Sequence, residues 1–409
     1  MPYSPRARSA RALANDEVIR EAAILEVLRV GVDRVSLRDV GQRAGFTHGA
    51  TYARYEDVDE LLVDLWISSL CERMTDLYER CLIAAREPGE AATAALVDFV
   101  RQASSSDVAA LQLLLTARRI PALFEEVEPF ISTYLARGGD GDGDDPLYTR
   151  ATAVFAMLIT MIGNIYFFEA TSADLSVLEV VLLDLFTSPP TSDDAIDLHE
   201  PDVAGTPAPT NDLRSQLGYA TFLVVGKSGY THATISRIAR RAKCSPGVIY
   251  RIFASKEDLV ISSFRASLNA RWMRIDNFSR LLDRGGMAQS LFDTTASINA
   301  VRRDFVLEFT LGATNVPKLR ETLIAQTQEL VSPIPLLDGV DTEHASTLAA
   351  VIRFIAYVTT GITLVSGACG VLHSANLSQF TEPFRRAVLN QSGPQWLQFC
   401  EFIGQFRDL

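Results

Sequence analysis

The chain has 409 residues, 48% of them hydrophobic, a net charge of −12 and a pI of about 5.0. That apolar content is ample for real cores. The acidity argues against a nucleic-acid binder unless positive charge is gathered locally, because phosphate contact needs a basic patch and not a basic protein. Cys71, Cys81, Cys244, Cys369 and Cys400 are scattered and odd in number, with no CxxC or Cys/His cluster. This suits a reducing cytoplasm and argues against a structural zinc.

In chain order, the N-terminus (MPYSPRARSARALAND) is basic but lacks an apolar core and a cleavage site, so it is not a secretory signal. Helical periodicity then dominates, and no strand alternation or hairpin signal stands out. Helices are expected near 16–30, 36–43, 47–53, 57–84, 90–104, 107–119, 121–136, 147–170 and 174–186. Gly138–Pro146 reads as a solvated loop: Asp140, Asp142 and Asp144 invite calcium, but the twelfth position holds Ala151 where a bidentate acid is needed. Thr187–Asn211, rich in Pro, Ser, Thr and acid, reads as a linker. The same order follows near 212–226, 234–241, 245–251, 255–283, 287–300, 303–313, 316–331, 342–370 and 376–390, with a last amphipathic piece near 394–407. The class is all-α. The uncharged runs Ala151–Phe168 and Phe354–Leu372 approach membrane-span length. Their internal Thr, Ser and Gly residues, and the lack of a flanking Lys/Arg cluster, favour helices buried in a protein core over a membrane span.

The second half restates the first. Residues 31–62 and 229–260 align without gaps at an offset of 198. Gly31/Gly229, Arg43/Arg241, Ala44/Ala242, Gly49/Gly247, Tyr52/Tyr250 and Leu61/Leu259 are identical pairs. Pro121 and Pro317 lie 196 apart, and Gly163 and Gly361 lie 198 apart, in similar apolar settings. Such periodicity implies two diverged copies of one unit of about 190 residues.

Each copy contains a helix-turn-helix pattern. In the second, Thr234 is suited to cap a short helix with Ile235, Ile238 and Ala239 on its apolar face. Ser245 is placed to cap the next helix, with Pro246 at its first turn, where a missing N–H costs nothing. Gly247 leaves room for close approach of a backbone. Tyr250 and Phe253 end the helix, one ring toward a phosphate and one toward the core. Ser255 to Asp258 forms a capping box whose amides, with Lys256, suit a phosphate. In the first copy Ser36 to Asp39 is the capping box, Thr47 the second cap, and Tyr52 and Tyr55 the terminal rings.

The segments ISRIARRAKCSPGVIYRIFASKEDL and LRDVGQRAGFTHGATYARYEDVDEL resemble the N-terminal region of the tetracycline-repressor (TetR) family of bacterial transcription regulators. The resemblance is close over about 50 residues of each copy and extends to the remainder in layout only. A tandem fusion departs from the family's single-copy homodimer. The resemblance implies recognition helices at Thr47–Ala53 and Ser245–Arg251, and DNA contacts from Ser36, Thr47, His48, Gly49, Ala50, Tyr52, Arg54, Thr234, Ser245, Pro246, Gly247, Val248, Tyr250, Arg251 and Lys256. It implies five segments: a DNA-binding domain at 1–56, a regulatory domain at 57–187, a linker at 188–211, a second DNA-binding domain at 212–254 and a second regulatory domain at 255–409. The last two long helices of each unit would form an intramolecular four-helix bundle, making the chain a pseudo-dimer.

The copies differ in charge. Residues 229–260 hold six Lys/Arg against two acids, a balance of +4; residues 31–62 hold four against six, a balance of −2. Val58 stands where the family has lysine, and Gly41 where it has alanine. The second copy should supply more of the salt-dependent affinity, and the first borrows charge if its arm, with Arg6, Arg8 and Arg11, enters a minor groove. No GxSxG, HExxH, P-loop or dinucleotide fingerprint occurs, so no enzyme activity, metal or cofactor is expected. Trp66, Phe99, Met157, Met161, Tyr166 and Phe167 are candidates to line an effector pocket, with ordinary core as the bland alternative. The expected partners are a double-stranded DNA operator, a small and largely apolar effector, and a second copy of the chain if it forms homodimers; no membrane is expected. The rival reading is a small-molecule-binding or sequestering protein whose DNA-binding units have decayed.

Overall fold

The computed structural model describes residues 10–138, 145–187, 191–201, 212–269, 283–332, 334, 341–373 and 375–392. Among them every regular element is helical. The Asp140–Asp144 loop, the arm before Ala10 and the 394–407 piece lie outside the described residues.

The first half begins with α1 (Ala10–Val30), which buries Ile19, Ala23 and Val27 at helical spacing. It stops at Gly31, whose φ of 79° is a left-handed conformation that glycine adopts without a Cβ clash. Two short helices follow, α2 (Leu37–Arg43) and α3 (His48–Tyr52). Next come α4 (Val58–Leu65), a π-turn at Trp66–Leu70 and α5 (Cys71–Arg86). The helix expected near 57–84 is therefore one rod with an inserted bulge. α6 (Glu90–Arg101) leads to α7 (Ser105–Thr116), which opens on a Ser104/Asp107 capping box. Most of α7 is buried, so it is the central strut of the first half. α8 (Pro121–Phe130) contains Pro129, which lacks an N–H, and the chain passes at once into a π-turn, Ile131–Leu135. α9 (Pro146–Phe167) and α10 (Ser172–Thr187) complete the half.

The order recurs. α11 (Leu213–His232) bends at Gly229 (φ 76°), the counterpart of Gly31. α12 (Ile235–Arg241), α13 (Pro246–Tyr250) and α14 (Lys256–Asn269) start 198 residues after α2, α3 and α4. α15 (Gly286–Thr295), α16 (Ala300–Ala313), α17 (Pro317–Val331), α18 (Thr342–Cys369) and α19 (Ser378–Ser392) follow.

The two halves meet along their long apolar helices. α9 packs on α18, and α10 packs on α18 and α19. At the α9–α18 crossing a Cβ on Gly361 would lie 2.1 Å from the Ala156 carbonyl oxygen, so only glycine allows this approach. Its repeat partner Gly163 faces open space, so the pair is not symmetric. Arg353 Nε donates at 2.8 Å to Asp174, a fully buried carboxylate at the start of α10. Both α9 and α18 are long and apolar enough to cross a membrane, but 78% of each apolar window is buried within the protein, as core helices are.

A second junction lies nearer the short helices. A Cβ on Gly31 would meet Asn315 Nδ2 at 2.2 Å, and one on Gly229 would meet Arg119 Nη1 at 2.6 Å. The register of Pro121 and Pro317 pairs Arg119 with Asn315. Each half thus presses the same position onto the other half's glycine turn. Arg119 also donates to Asp33 at 2.6 Å and lies 2.7 Å from Glu308 Oε1. Burial pushes the Glu308 carboxyl up to about 8, against the pull of Arg119.

Two expectations need correction. The linker expected at 188–211 is not loose throughout. Asp194 is buried and ion-paired to Arg386 of α19, and Ile196 accepts from Asn376 at 2.9 Å. A buried carboxylate and backbone hydrogen bonds anchor this polar stretch where composition alone suggested a solvated tether. The Ser245 side chain also makes no capping bond. The Val248 N–H bonds the Ser245 carbonyl instead, at 3.0 Å.

Candidate nucleic-acid interface

Each half presents a three-helix head. In the first, Ser36 Oγ accepts from Asp39 N at 3.1 Å and starts α2. Gly45, with φ 74°, makes the turn, and Thr47 Oγ1 accepts weakly from Ala50 N at 3.4 Å to start α3. α2 and α3 touch where Thr51 Oγ1 occupies the space of a Gly41 Cβ, 2.3 Å away. In the second head Ala239 and Ile249 fill those positions, both buried. Gly41 is thus matched to the shape of Thr51. Thr234 Oγ1 caps α12 through Arg237 N at 3.2 Å. Lys243 stands where the first head has Gly45 and adopts φ 55° despite its side chain.

The two expected recognition helices, α3 and α13, each end in one exposed and one buried ring. Tyr52 is 46% exposed and Tyr250 58%, while Tyr55 and Phe253 are buried beneath them. Thr47, Ser245, Pro246 and Arg251 are exposed, and Ala50 and Val248 are half-buried. Neither recognition-helix glycine is required by packing. A Cβ on Gly49 would meet nothing within 4 Å, and one on Gly247 only Ser245 Oγ at 3.9 Å. Their smallness therefore keeps the outward face low. His48 opens α3; its side chain lies outside the described residues.

Charge separates the heads more sharply than composition does. In the first, Arg43 is held by Glu26 at 2.6 Å, Arg29 shares that carboxylate at 2.6 Å, and Arg54 is held by Asp16 at 2.6 Å. Burial works against the Glu26 charge, but the two guanidinium groups outweigh it and hold the carboxyl below its ordinary value. Arg54, expected to reach DNA, also lies over the Phe46 ring. Arg34 and Arg38 remain exposed. In the second head the counterpart of Glu26 is Val224, and the counterpart of Asp16 is Arg214, which lies over Phe253. Arg241 consequently loses the acid that holds Arg43. Arg240, Arg241, Lys243 and Arg251 are all exposed, and none has an ion pair among the described residues. This quartet was legible as a charge balance but not as a set of free side chains.

Lys256 faces inward. Its Nζ donates to the Tyr230 carbonyl at 2.8 Å and lies 4.0 Å from the Tyr230 ring centroid. Burial lowers its pKa. Tyr230 in turn donates to Glu257 at 2.8 Å. The expected phosphate lysine thus fastens α14 to α11. The Ser255 hydroxyl still caps α14 through Asp258 N at 3.1 Å.

The six candidate effector residues do not share one cavity. Trp66 is core, its Nε1 donating to the Glu126 carbonyl at 3.0 Å. Phe99 lies beneath Arg80, Met157 and Met161 are fully buried, and Tyr166 is exposed against Phe167. Phe167 alone of the six lines a cavity of about 130 Å³, which lies between the halves. Side-chain size and polarity marked these residues, whereas the space is formed by helices from both halves. A second cavity of about 80 Å³ is lined by Phe264, Thr359 and Thr363 of the second half.

Residues 220–262, which contain α12, α13 and the start of α14, match the family described as bacterial regulatory proteins, tetR family. No curated protein matches the chain. Among solved structures it is similar to a transcriptional regulator from Rhodococcus sp. Rha1, at 22% identity and a TM-score of 0.29, over 48% of this chain and 98% of that one. The part of the chain that matches the tetR family of bacterial regulatory proteins is thus the second head, with its outward tyrosine and exposed cations.

Proposed function

We propose that the protein is a ligand-responsive transcriptional repressor that places both heads on one operator as a single-chain pseudo-dimer. The observation that carries the reading is the open cationic face of the second head. Arg240, Arg241, Lys243 and Arg251 surround a recognition helix ending in an exposed Tyr250, with no acid to neutralise them among the described residues. Such a face supplies salt-dependent phosphate affinity even in an acidic chain. The pseudo-dimer reading is supported by the packing of α9 and α10 on α18 and α19, and by the reciprocal contacts of Arg119 and Asn315. In a two-fold dimer equivalent residues contact one another's surroundings in this crossed way. The heads would then occupy half-sites about one helical turn apart on an imperfectly palindromic operator, and a ligand that alters their spacing would release DNA.

A filter-binding titration across salt tests the reading. Tyr250→Ala and Arg251→Ala should weaken operator binding strongly, and Arg251→Ala should lower the salt slope. Unchanged affinity and slope would remove the second head from the interface. The paired cations of the first head favour a second reading, in which that head contributes little and the chain chiefly binds a small molecule. Duplex binding measured at low and high salt separates the two. Mass in solution decides whether chains pair further.

A further inference from the structure

The cavity between the halves has the chemistry of a specific binding site. Its walls come from α7 and α9 on one side and from α16, α17 and α18 on the other, so neither half forms it alone. Its volume of about 130 Å³ is close to that of a cavity known to accept a benzene ring, roughly 150 Å³. None of its lining residues is charged. The walls are apolar apart from Gln112, Asn164, Tyr357 and several threonines. Three of those threonines already direct their hydroxyls to carbonyls: Thr160 to Ala156 at 3.0 Å, Thr314 to Leu311 at 2.8 Å and Thr327 to Leu323 at 3.0 Å. Asn164 likewise donates to the Thr160 carbonyl at 2.8 Å.

Gln112 is the exception. Its side chain is 4% exposed, and its Nε2 is buried without a hydrogen-bond partner. An unmet buried donor costs about 1–3 kcal/mol, so its retention in a central helix calls for an acceptor at that point. Gly163 is the second sign. It lines the same cavity, and a Cβ built there meets nothing within 4 Å. The glycine is required by neither backbone nor packing, and its effect is to keep the space open.

We infer that this inter-half cavity binds one uncharged ligand per chain, with an apolar body about the size of one ring and a hydrogen-bond acceptor met by Gln112. A carboxylate or ammonium group is excluded on energetic grounds, since no charged group awaits it and an unpaired buried charge is heavily penalised. The inference rests on the ligand-responsive reading and specifies its ligand. It also gives that ligand a route to the heads. Gln112 lines the neighbouring crevice that holds Asp33, Arg119, Glu308 and Asn315, where the glycine turns of both heads are gripped. Engaging the Gln112 amide therefore acts one side chain away from the junction that sets head against head.

The test uses three molecules of nearly one shape on the full chain without DNA, followed by calorimetry. Acetophenone carries a ring and a carbonyl acceptor. α-Methylstyrene replaces the oxygen with a methylene, and benzoate replaces the neutral group with a charge. Acetophenone should bind at one per chain, α-methylstyrene about fivefold to tenfold more weakly, and benzoate should give no saturable heat. Gln112→Leu should abolish the difference between the first two while leaving the second bound. Gly163→Leu and, from the opposite wall, Thr360→Leu should fill the cavity and abolish binding; circular dichroism identifies any variant that fails to fold. The inference is overturned by no binding of acetophenone, by two sites per chain, by benzoate binding as well as acetophenone, or by undiminished binding in both folded filling variants. Operator titration is scored separately. Loss of DNA binding with intact acetophenone binding defeats the repressor reading alone, and the converse defeats the cavity inference alone.

Discussion

The two heads share a frame and differ in what surrounds their cations. Arg43 and Arg241 are an identical pair at the end of equivalent helices, yet Arg43 is bound by the buried carboxylate of Glu26, whereas Arg241, with Val224 at the equivalent position, is exposed to solvent. One difference on the supporting helix separates an arginine held in the fold from one left exposed. The heads also differ in attachment. The core of the first runs continuously into the bundle through Val27, Leu61 and Leu65. The second keeps a small core of its own, built on Leu217, Ile238, Ile249 and Leu259. A head with a separate core can shift with less disturbance of the main one. Duplicated sequence thus preserves helices and caps, while charge availability and anchoring diverge through single neighbouring residues.

The strongest way to break this comparison is to strip the free cations from the second head. Arg240→Ala with Arg241→Ala should weaken operator binding by about a hundredfold and lower the log–log salt slope by about two. The same pair of changes at Arg34 and Arg38 should do less, and equal losses in a filter-binding titration would refute the asymmetry. The junction between the heads offers the next largest effect. Glu308 faces Arg119, Asp33 and Asp304, and its folded value of about 8 lies above the ordinary carboxylate value. Its contribution is therefore complete below about pH 4.5 and is lost as pH rises through about 8. Relative to Glu308→Gln, the native chain should lose on the order of 3–4 kcal/mol between pH 5 and 8. Urea unfolding of both proteins at several pH values checks this, and parallel curves would assign the titration elsewhere.

Glu26→Val gives the first head the residue that the second carries at 224. Freed from its carboxylate, Arg43 should add about one unit to the salt slope, with little change in stability because an apolar residue replaces a buried acid. An unaltered slope would mean that the first head does not approach the phosphates. The smallest effect concerns the helix-turn-helix bend. Lys243→Gly installs the first head's residue at a left-handed position and should raise stability by about 1 kcal/mol. It should also remove one cation's share of the salt dependence. A fall in melting temperature would show that Lys243 is held by contacts worth more than its strain.

Much of the fold was legible because its signals are short-range. The caps at Ser36, Thr47 and Thr234 act over three residues, and Pro121 and Pro317 start helices by their own geometry. Gly31 and Gly229 were visible as an identical pair of the repeat, but neither their left-handed turns nor the partner residue that presses on each could be read from it. The site was legible where exposure follows from helix phase, as for Tyr52 and Tyr250, and illegible where a distant group competes. Arg54 is occupied by an acid 38 positions away, and Lys256 by a carbonyl 26 positions away.

By itself the sequence determined the all-helical class, the repeated helix order, the caps and the placement of a tetR-type segment in the second half. These depend on patterns spanning a few residues and on a register that recurs at constant offset. Tertiary structure alone decided which cations are free, why Gly361 and not Gly163 is sterically required, and where the two halves leave a cavity with Gln112 unmet. Those outcomes depend on burial and pairing between separate segments that only the fold brings together, and no local pattern contains that sum.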